Sequence, residues 1–143
     1  MQKPTLYLPD VNVWLAIAAD GHIHHRAATA WFETAGPEQA AFCRVTQMGF
    51  LRLLTDSRAM HEDVLGQNEA WRVYDKLRED ERVTFLADGD DVEREWRAFT
   101  QHRGPTLRSW TDCYLQATAA ARQAVLVTFD RTLVRSRGRR PLV

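Results

Sequence analysis

"AVLVTF", residues 124 to 129, is the stretch whose reading decides the fold class. A strand with one wet face alternates apolar and polar side chains. An unbroken apolar run instead belongs to a strand covered on both faces, as in a parallel sheet lying between helical layers. The residues around it agree. From Ser109 onward, Trp110, Cys113, Tyr114, Ala117 and Ala121 recur at helical spacing, so a helix feeds this strand. Working back, Thr5 to Pro9, Ala40 to Val45 and Val83 to Leu86 read as further strands. Helices are expected over Asn12 to Ala19, His22 to Ala35, Thr46 to Thr55, Gln67 to Asp80 and from Asp90 past Phe99. Gly36-Pro37 and Gly104-Pro105 break the chain. A short helix after Asp130 and a last strand near Pro141 to Val143 complete the pattern. Strands separated by helices mean an α/β domain with a mostly parallel sheet covered on both sides. With 143 residues and no visible linker or repeat, the chain is expected to be a single domain, 1–143.

Composition narrows the classes of function. Lys plus Arg and Asp plus Glu are equal at 19 each, giving zero formal charge. Nucleic-acid binding would therefore need a local basic patch rather than overall attraction. Lys3 and Lys76 are the lysines; arginine supplies the other cations. Its fork suits phosphate and carboxylate, although a GC-rich genome gives the same bias. Cys43 and Cys113 lie far apart on apolar faces and read as buried thiols in a reducing compartment. No signal segment opens the chain and no apolar run approaches the ~18 residues of a membrane span, so a soluble, cytoplasmic protein is expected.

"YLPDVNVWLAI", residues 7 to 17, places Asp10 and Asn12 in an otherwise apolar run. A carboxylate there is costly unless something pairs with it. Asp10 ends the first strand and Asp130 ends the "AVLVTF" strand, at the edge where open α/β sheets bind ligands. Asp112 lies in the first turn of the helix feeding that strand, which starts near the same edge. Three converging carboxylates cannot all stay ionised without a cation, and hard oxygen donors select Mg²⁺ or Mn²⁺.

"LPDVNVWL", "VTQMGFLRLL", "TDCYLQATAA" and "LVTFDRTL", in this order and at these distances, resemble the PIN-domain ribonucleases of the VapC toxin type over essentially the whole chain. The resemblance implies a three-layer α/β/α PIN-like fold and a metal-dependent endoribonuclease that hydrolyses RNA. It further implies inhibition by a VapB antitoxin and assembly as a homodimer, or as a heterotetramer or larger complex with that antitoxin. Asp10, Asp112 and Asp130 match the family's metal-binding acids; Asn12 and Thr128 match its polar supporting positions. One position departs: Gln47 stands where a second acid is usual. An amide oxygen can ligate an ion or bond its water, but it brings no charge.

The acids support hydrolysis, in which a bound divalent ion lowers the pKa of a water and stabilises charge on the scissile phosphate. Asp10 and Asp130 would hold the ion, and Asp112 would hold it or orient the water. Asn12 or Thr128 would fix a carboxylate from behind. Against this stand ordinary roles, since Asp10 and Asp130 could each cap a following helix and Asp112 could complement a helix N-terminus. Three such caps in this motif order would be a coincidence. His22, His24 and His25 lack zinc-motif spacing and read as solvent-exposed. Arg52 and Arg131 are candidates for RNA phosphate or an antitoxin side chain, with Arg135, Arg137, Arg139 and Arg140 forming a basic end. Trp14, Trp31 and Trp71 read as core or dimer contacts.

A catalytically weakened PIN domain kept for RNA or antitoxin binding is the rival reading. A phospho-acceptor receiver domain would need paired acids after the first strand and a late lysine. The chain has "PDVN" there and no lysine after Lys76. A haloacid-dehalogenase-like phosphatase would need an acid where Asn12 stands.

Overall fold

The structure is a computed structural model that describes residues 4–102, 104, 107–130 and 139–141, the stretches 107–109 and 139–141 by backbone alone. Five strands form one sheet: β1 (Leu6–Pro9), β2 (Ala40–Cys43), β3 (Val83–Leu86), β4 (Ala124–Thr128) and β5 (Arg139–Pro141). Their order is β3-β2-β1-β4-β5 and every pairing is parallel. Leu6 to Pro9 run opposite Ala124 to Val127. That register sets Asp10, which follows Pro9, beside Thr128.

Among the described residues, seven α-helices cross between the strands: α1 (Val11–Ala18), α2 (His25–Glu33), α3 (Arg44–Leu54), α4 (Ser57–Met60), α5 (Gln67–Glu79), α6 (Asp90–Thr100) and α7 (Leu107–Arg122). Side chains of a strand alternate between the two faces of the sheet, and the core divides accordingly. Phe42 and Val127 join Trp14, Phe32, Phe50 and Tyr74 on one face. Ala41, Cys43 and Leu126 join Leu115 and Ala119 on the other. Trp14 stacks on Phe42 at 3.9 Å between ring centroids and 9° between planes. This is the three-layer α/β/α architecture, with β1 in the middle of the sheet. No helix among the described residues is long and apolar enough to cross a membrane.

Several boundaries differ from the sequence reading. β2 ends at Cys43 and α3 begins at Arg44, before the Thr46 start expected. The Cys43 amide donates to Thr46 Oγ1 at 2.9 Å, so Cys43 is the cap and Thr46 already lies inside the helix. α7 begins at Leu107 rather than Ser109, so Asp112 falls in its second turn. Trp110 is not on the buried face of that helix; it is 58% exposed. Helix α4 and the 3-10 turn His61–Asp63 were not expected, and none of their residues is buried, so they leave no apolar periodicity to read. The short helix expected after Asp130 lies outside the described residues.

One glycine controls how the helices meet. A Cβ built on Gly49 would stand 2.6 Å from Val11 Cγ2. The side chain of Val11 is stiff at χ1, so only a residue without Cβ lets α3 approach the start of α1 this closely.

Candidate functional site

The site is built at the carboxyl ends of β1 and β4. Asp10 is in extended conformation at the end of β1 and caps α1, its Oδ1 accepting from the Val13 amide at 3.2 Å. Its own amide donates to the Val127 carbonyl at 2.9 Å, which ties the cap to the neighbouring strand. The other carboxylate oxygen, Oδ2, accepts a short hydrogen bond from the Thr128 hydroxyl, a residue 118 positions away. The Thr128 oxygen in turn accepts from the Asp130 amide at 3.0 Å. A relay thus runs from the Asp130 backbone through Thr128 to Asp10. Thr128 is fully buried and Asp10 nearly so, whereas Asp130 is exposed.

The electrostatics follow from that burial. Loss of hydration pushes the Asp10 carboxyl above its ordinary value. Hydrogen bonds from Thr128 and from the Val13 and Asn12 amides pull it back in part, and the negative charge of Asp130 raises it further. Asn12 acts here through its backbone; its residue is exposed in the first turn of α1. The two acids at this edge are electrostatically coupled, and their donors are hard oxygens.

Among the described residues, no group of three or more His, Cys, Asp or Glu side chains is placed to hold one ion. Asp112 is half-buried in α7, and both it and Asp130 have interaction partners.

Gln47 is buried near the start of α3, just past the carboxyl end of β2. Its Oε1 accepts from the Arg44 guanidinium, which lies 4.8 Å over the Phe85 ring. Arg44 had escaped notice in the sequence, although its position three residues before Gln47 is the helical spacing at which side chains meet.

Two other groups stand elsewhere than expected. Arg52 is exposed and, with Trp71, lines a hollow of about 370 Å³ between α3 and α5 rather than the surroundings of Asp10. Five residues of helix turn it well away from the face of Gln47. The histidines are half-buried rather than solvent-exposed. His24 stacks on Phe129 at 4.4 Å, His22 at 6.4 Å, and His25 Nδ1 bonds the Ala16 carbonyl. Ring stacking holds them, and it leaves no periodicity in a sequence. Burial, reinforced by the neighbouring histidines, holds His22 below its ordinary pKa. Arg131, Arg135 and Arg137 lie outside the described residues. Trp14 and Trp31 are core residues, as read, while Trp71 is 48% exposed. Cys43 and Cys113 are free and buried.

Comparison with known proteins places this geometry. The profile of the PIN domain family matches residues 7–138. Ribonuclease VapC41 of Mycobacterium tuberculosis (strain ATCC 25618 / H37Rv) is 41% identical over 130 residues, covering 87% of this chain and 89% of its own. Among solved structures, the Mycobacterium tuberculosis toxin VapC20, described as cleaving the sarcin-ricin loop, superposes with a TM-score of 0.64 at 16% identity, covering 90% of this chain and 92% of its own. A toxin-antitoxin complex from Klebsiella pneumoniae superposes with a TM-score of 0.63 at 17% identity, covering 96% and 98%. The two structural likenesses establish the fold.

Proposed function

Because this chain belongs to the PIN-domain family and, within it, to the VapC ribonucleases, we propose that it is the toxin of a toxin–antitoxin pair, an endoribonuclease that hydrolyses RNA phosphodiester bonds with a divalent cation. The observation that carries the chemistry is the relay from the Asp130 amide through Thr128 to Asp10. It fixes two coupled acids at the carboxyl ends of adjacent parallel strands, where α/β sheets bind their ligands.

The donor set fits a hard dication. Asp10 is buried, and desolvation first and the charge of Asp130 last raise its pKa, so a cation at this edge would favour its ionised form. Asp10, Asp130 and Asp112 would hold Mg²⁺ or Mn²⁺. The ion, when bound, makes a water nucleophilic near neutral pH and offsets charge on the phosphate. The chain's own contributions are positional. Thr128 holds the Asp10 carboxylate in one orientation, and the α1 cap holds its other oxygen. Asp112, on α7, either completes the ion's ligands or orients the attacking water. Gln47, held by Arg44, presents an uncharged amide at the position where an acid is usual.

As partner we propose a VapB-type antitoxin, on the family's membership in toxin–antitoxin pairs, with the toxin itself dimeric. A second reading, a PIN domain retained for binding RNA or antitoxin, is favoured by Gln47, which brings no charge where an acid is usual.

The deciding experiment incubates total cellular RNA with the purified chain in Mg²⁺ and in chelator, beside Asp10→Asn. Cleavage that needs the ion and falls at least ~100-fold in the variant is the expected result. RNA binding without product, or full cleavage by Asp10→Asn, would reject the nuclease in favour of the binding module or of a different site.

A further inference from the structure

Beside the candidate site lies a hollow of about 520 Å³ enclosed by α3, the end of β3, α6 and α7. We propose that it is a pocket for one nucleobase of the RNA, next to the bond that is cut, with Trp110 as its stacking platform. The proposal rests on the ribonuclease reading above and names what selects the substrate there.

Position comes first. Arg44 lines the hollow and its guanidinium bonds Gln47; Thr111 lines it too and immediately precedes Asp112. An RNA strand laid across the acids therefore passes the mouth of this hollow, and the base of a flanking nucleotide is the part that can enter it.

Chemistry comes second. The lining is mostly aromatic and apolar, with Phe85, Trp96, Trp110 and Tyr114 among it. A phosphate would be repelled by Asp88, and the Arg44 guanidinium is already engaged by Gln47 and the Phe85 ring. A neutral planar base suits both features. Bases stack on aromatic faces without regard to sequence, and an exocyclic amine can donate to a carboxylate. Trp110 is 58% exposed and Met48, at the rim, 56%. Together with Phe85, Trp96 and Tyr114 they line one aromatic hollow, and a contiguous apolar patch of this kind marks an interaction site.

Pre-organisation comes third. Trp96 donates from Nε1 to the Trp110 carbonyl at 2.9 Å and meets the Trp110 ring edge-on at 6.0 Å. It meets Tyr114 edge-on at 5.4 Å. Tyr114 donates to Asp88 Oδ1 at 3.1 Å, and burial together with that carboxylate pushes its pKa up to about 12, so it remains a donor at neutral pH. Walls held in this way lose little freedom when a ligand enters.

The test starts from the strongest cut in total cellular RNA. An oligoribonucleotide spanning that site is made intact and with an abasic residue at each flanking position in turn, and kcat/KM is measured for wild type, Trp110→Ala and Trp110→Phe. Removing an exposed side chain leaves the backbone carbonyl that Trp96 bonds, so the variants keep the fold. For wild type, one abasic position is expected to lower kcat/KM by about 5- to 150-fold, the worth of one stacked base. Trp110→Ala should show the lowered value on the intact oligonucleotide and no further loss at that position, while Trp110→Phe retains most of the discrimination. Two results overturn the pocket and leave the nuclease standing: a wild type indifferent to every abasic position, or losses in Trp110→Ala that simply multiply with the abasic loss. Either would assign the hollow to a protein partner. Absence of any cutting by wild type removes the ribonuclease reading and the base pocket with it.

Discussion

Where β1 turns into α1 and where β2 turns into α3, the backbone faces one problem and answers it with different side chains. Both junctions lead from a buried strand into a helix whose first amides need acceptors. At β2–α3 the answer is neutral: the Cys43 and Thr46 groups bond each other reciprocally, and the next buried polar residue, Gln47, carries no charge. At β1–α1 the answer is Asp10, a buried carboxylate whose ionisation is resisted by its surroundings. The neutral junction demonstrates that capping here does not need an acid. The charge at Asp10 is therefore in excess of what the fold requires, and excess buried charge points to a ligand.

The largest expected effect comes from the residue that makes the two junctions unlike. Thr128→Val keeps shape and removes the hydroxyl. It leaves Asp10 Oδ2 without its donor and the Asp130 amide without its acceptor. Loss of a buried hydrogen bond to a charged group costs about 3 kcal/mol, to be read as a fall in urea-unfolding free energy at pH 7. The loss should shrink at low pH, where Asp10 is protonated and needs the donor less. A pH-independent loss would mean that Thr128 serves packing rather than the carboxylate.

Asp10→Asn should move stability the other way. Ionising Asp10 is harder in the folded chain than in the unfolded one, because its pKa is raised from the ordinary 3.8 by burial. Its contribution to stability is thus fully present below 3.8 and is lost as pH rises from there through the folded value. Asparagine is as good a cap as aspartate and does not ionise. The variant should be more stable than wild type by about 1 to 2 kcal/mol at pH 7 and should lose that advantage on acidification, while being inactive. A variant less stable at pH 7 would show that the carboxylate is wanted by the fold after all.

The contrast between the junctions also explains what could be read from the sequence. The strands were legible because apolar runs have no other use, and "AVLVTF" became β4 with its boundary shifted by one residue. Asp10 was legible as an anomaly, a charge among buried residues. What could not be read was partnership at a distance formed without periodicity: the exclusion of Trp110 from the buried face of α7, the stacking of His24 on Phe129 and the grip of Arg44 on Gln47. Helix α4 has no fully buried residue and packs only Met60 on the core, too little for a pattern in the sequence to encode it.

The smallest effect is expected where the neutral junction is made to resemble the charged one. Gln47→Glu places a carboxylate near the start of α3, just past the carboxyl end of β2, with Arg44 already positioned to pair with it. Because that ion pair replaces an existing hydrogen bond, unfolding free energy should change little. The added charge instead acts on whatever cation Asp10 and Asp130 hold. At ion-pair range in a water-like dielectric, one further unit charge contributes about 1 kcal/mol, or about fivefold in affinity. Calorimetric titration with Mn²⁺ reads this directly. A tighter site in Gln47→Glu means that the two junctions flank one ion and that the chain has given up part of its charge at the second. An unchanged affinity means that Gln47 faces Arg44 and the aromatic hollow instead, in which case the charged junction binds its ligand without help from the neutral one.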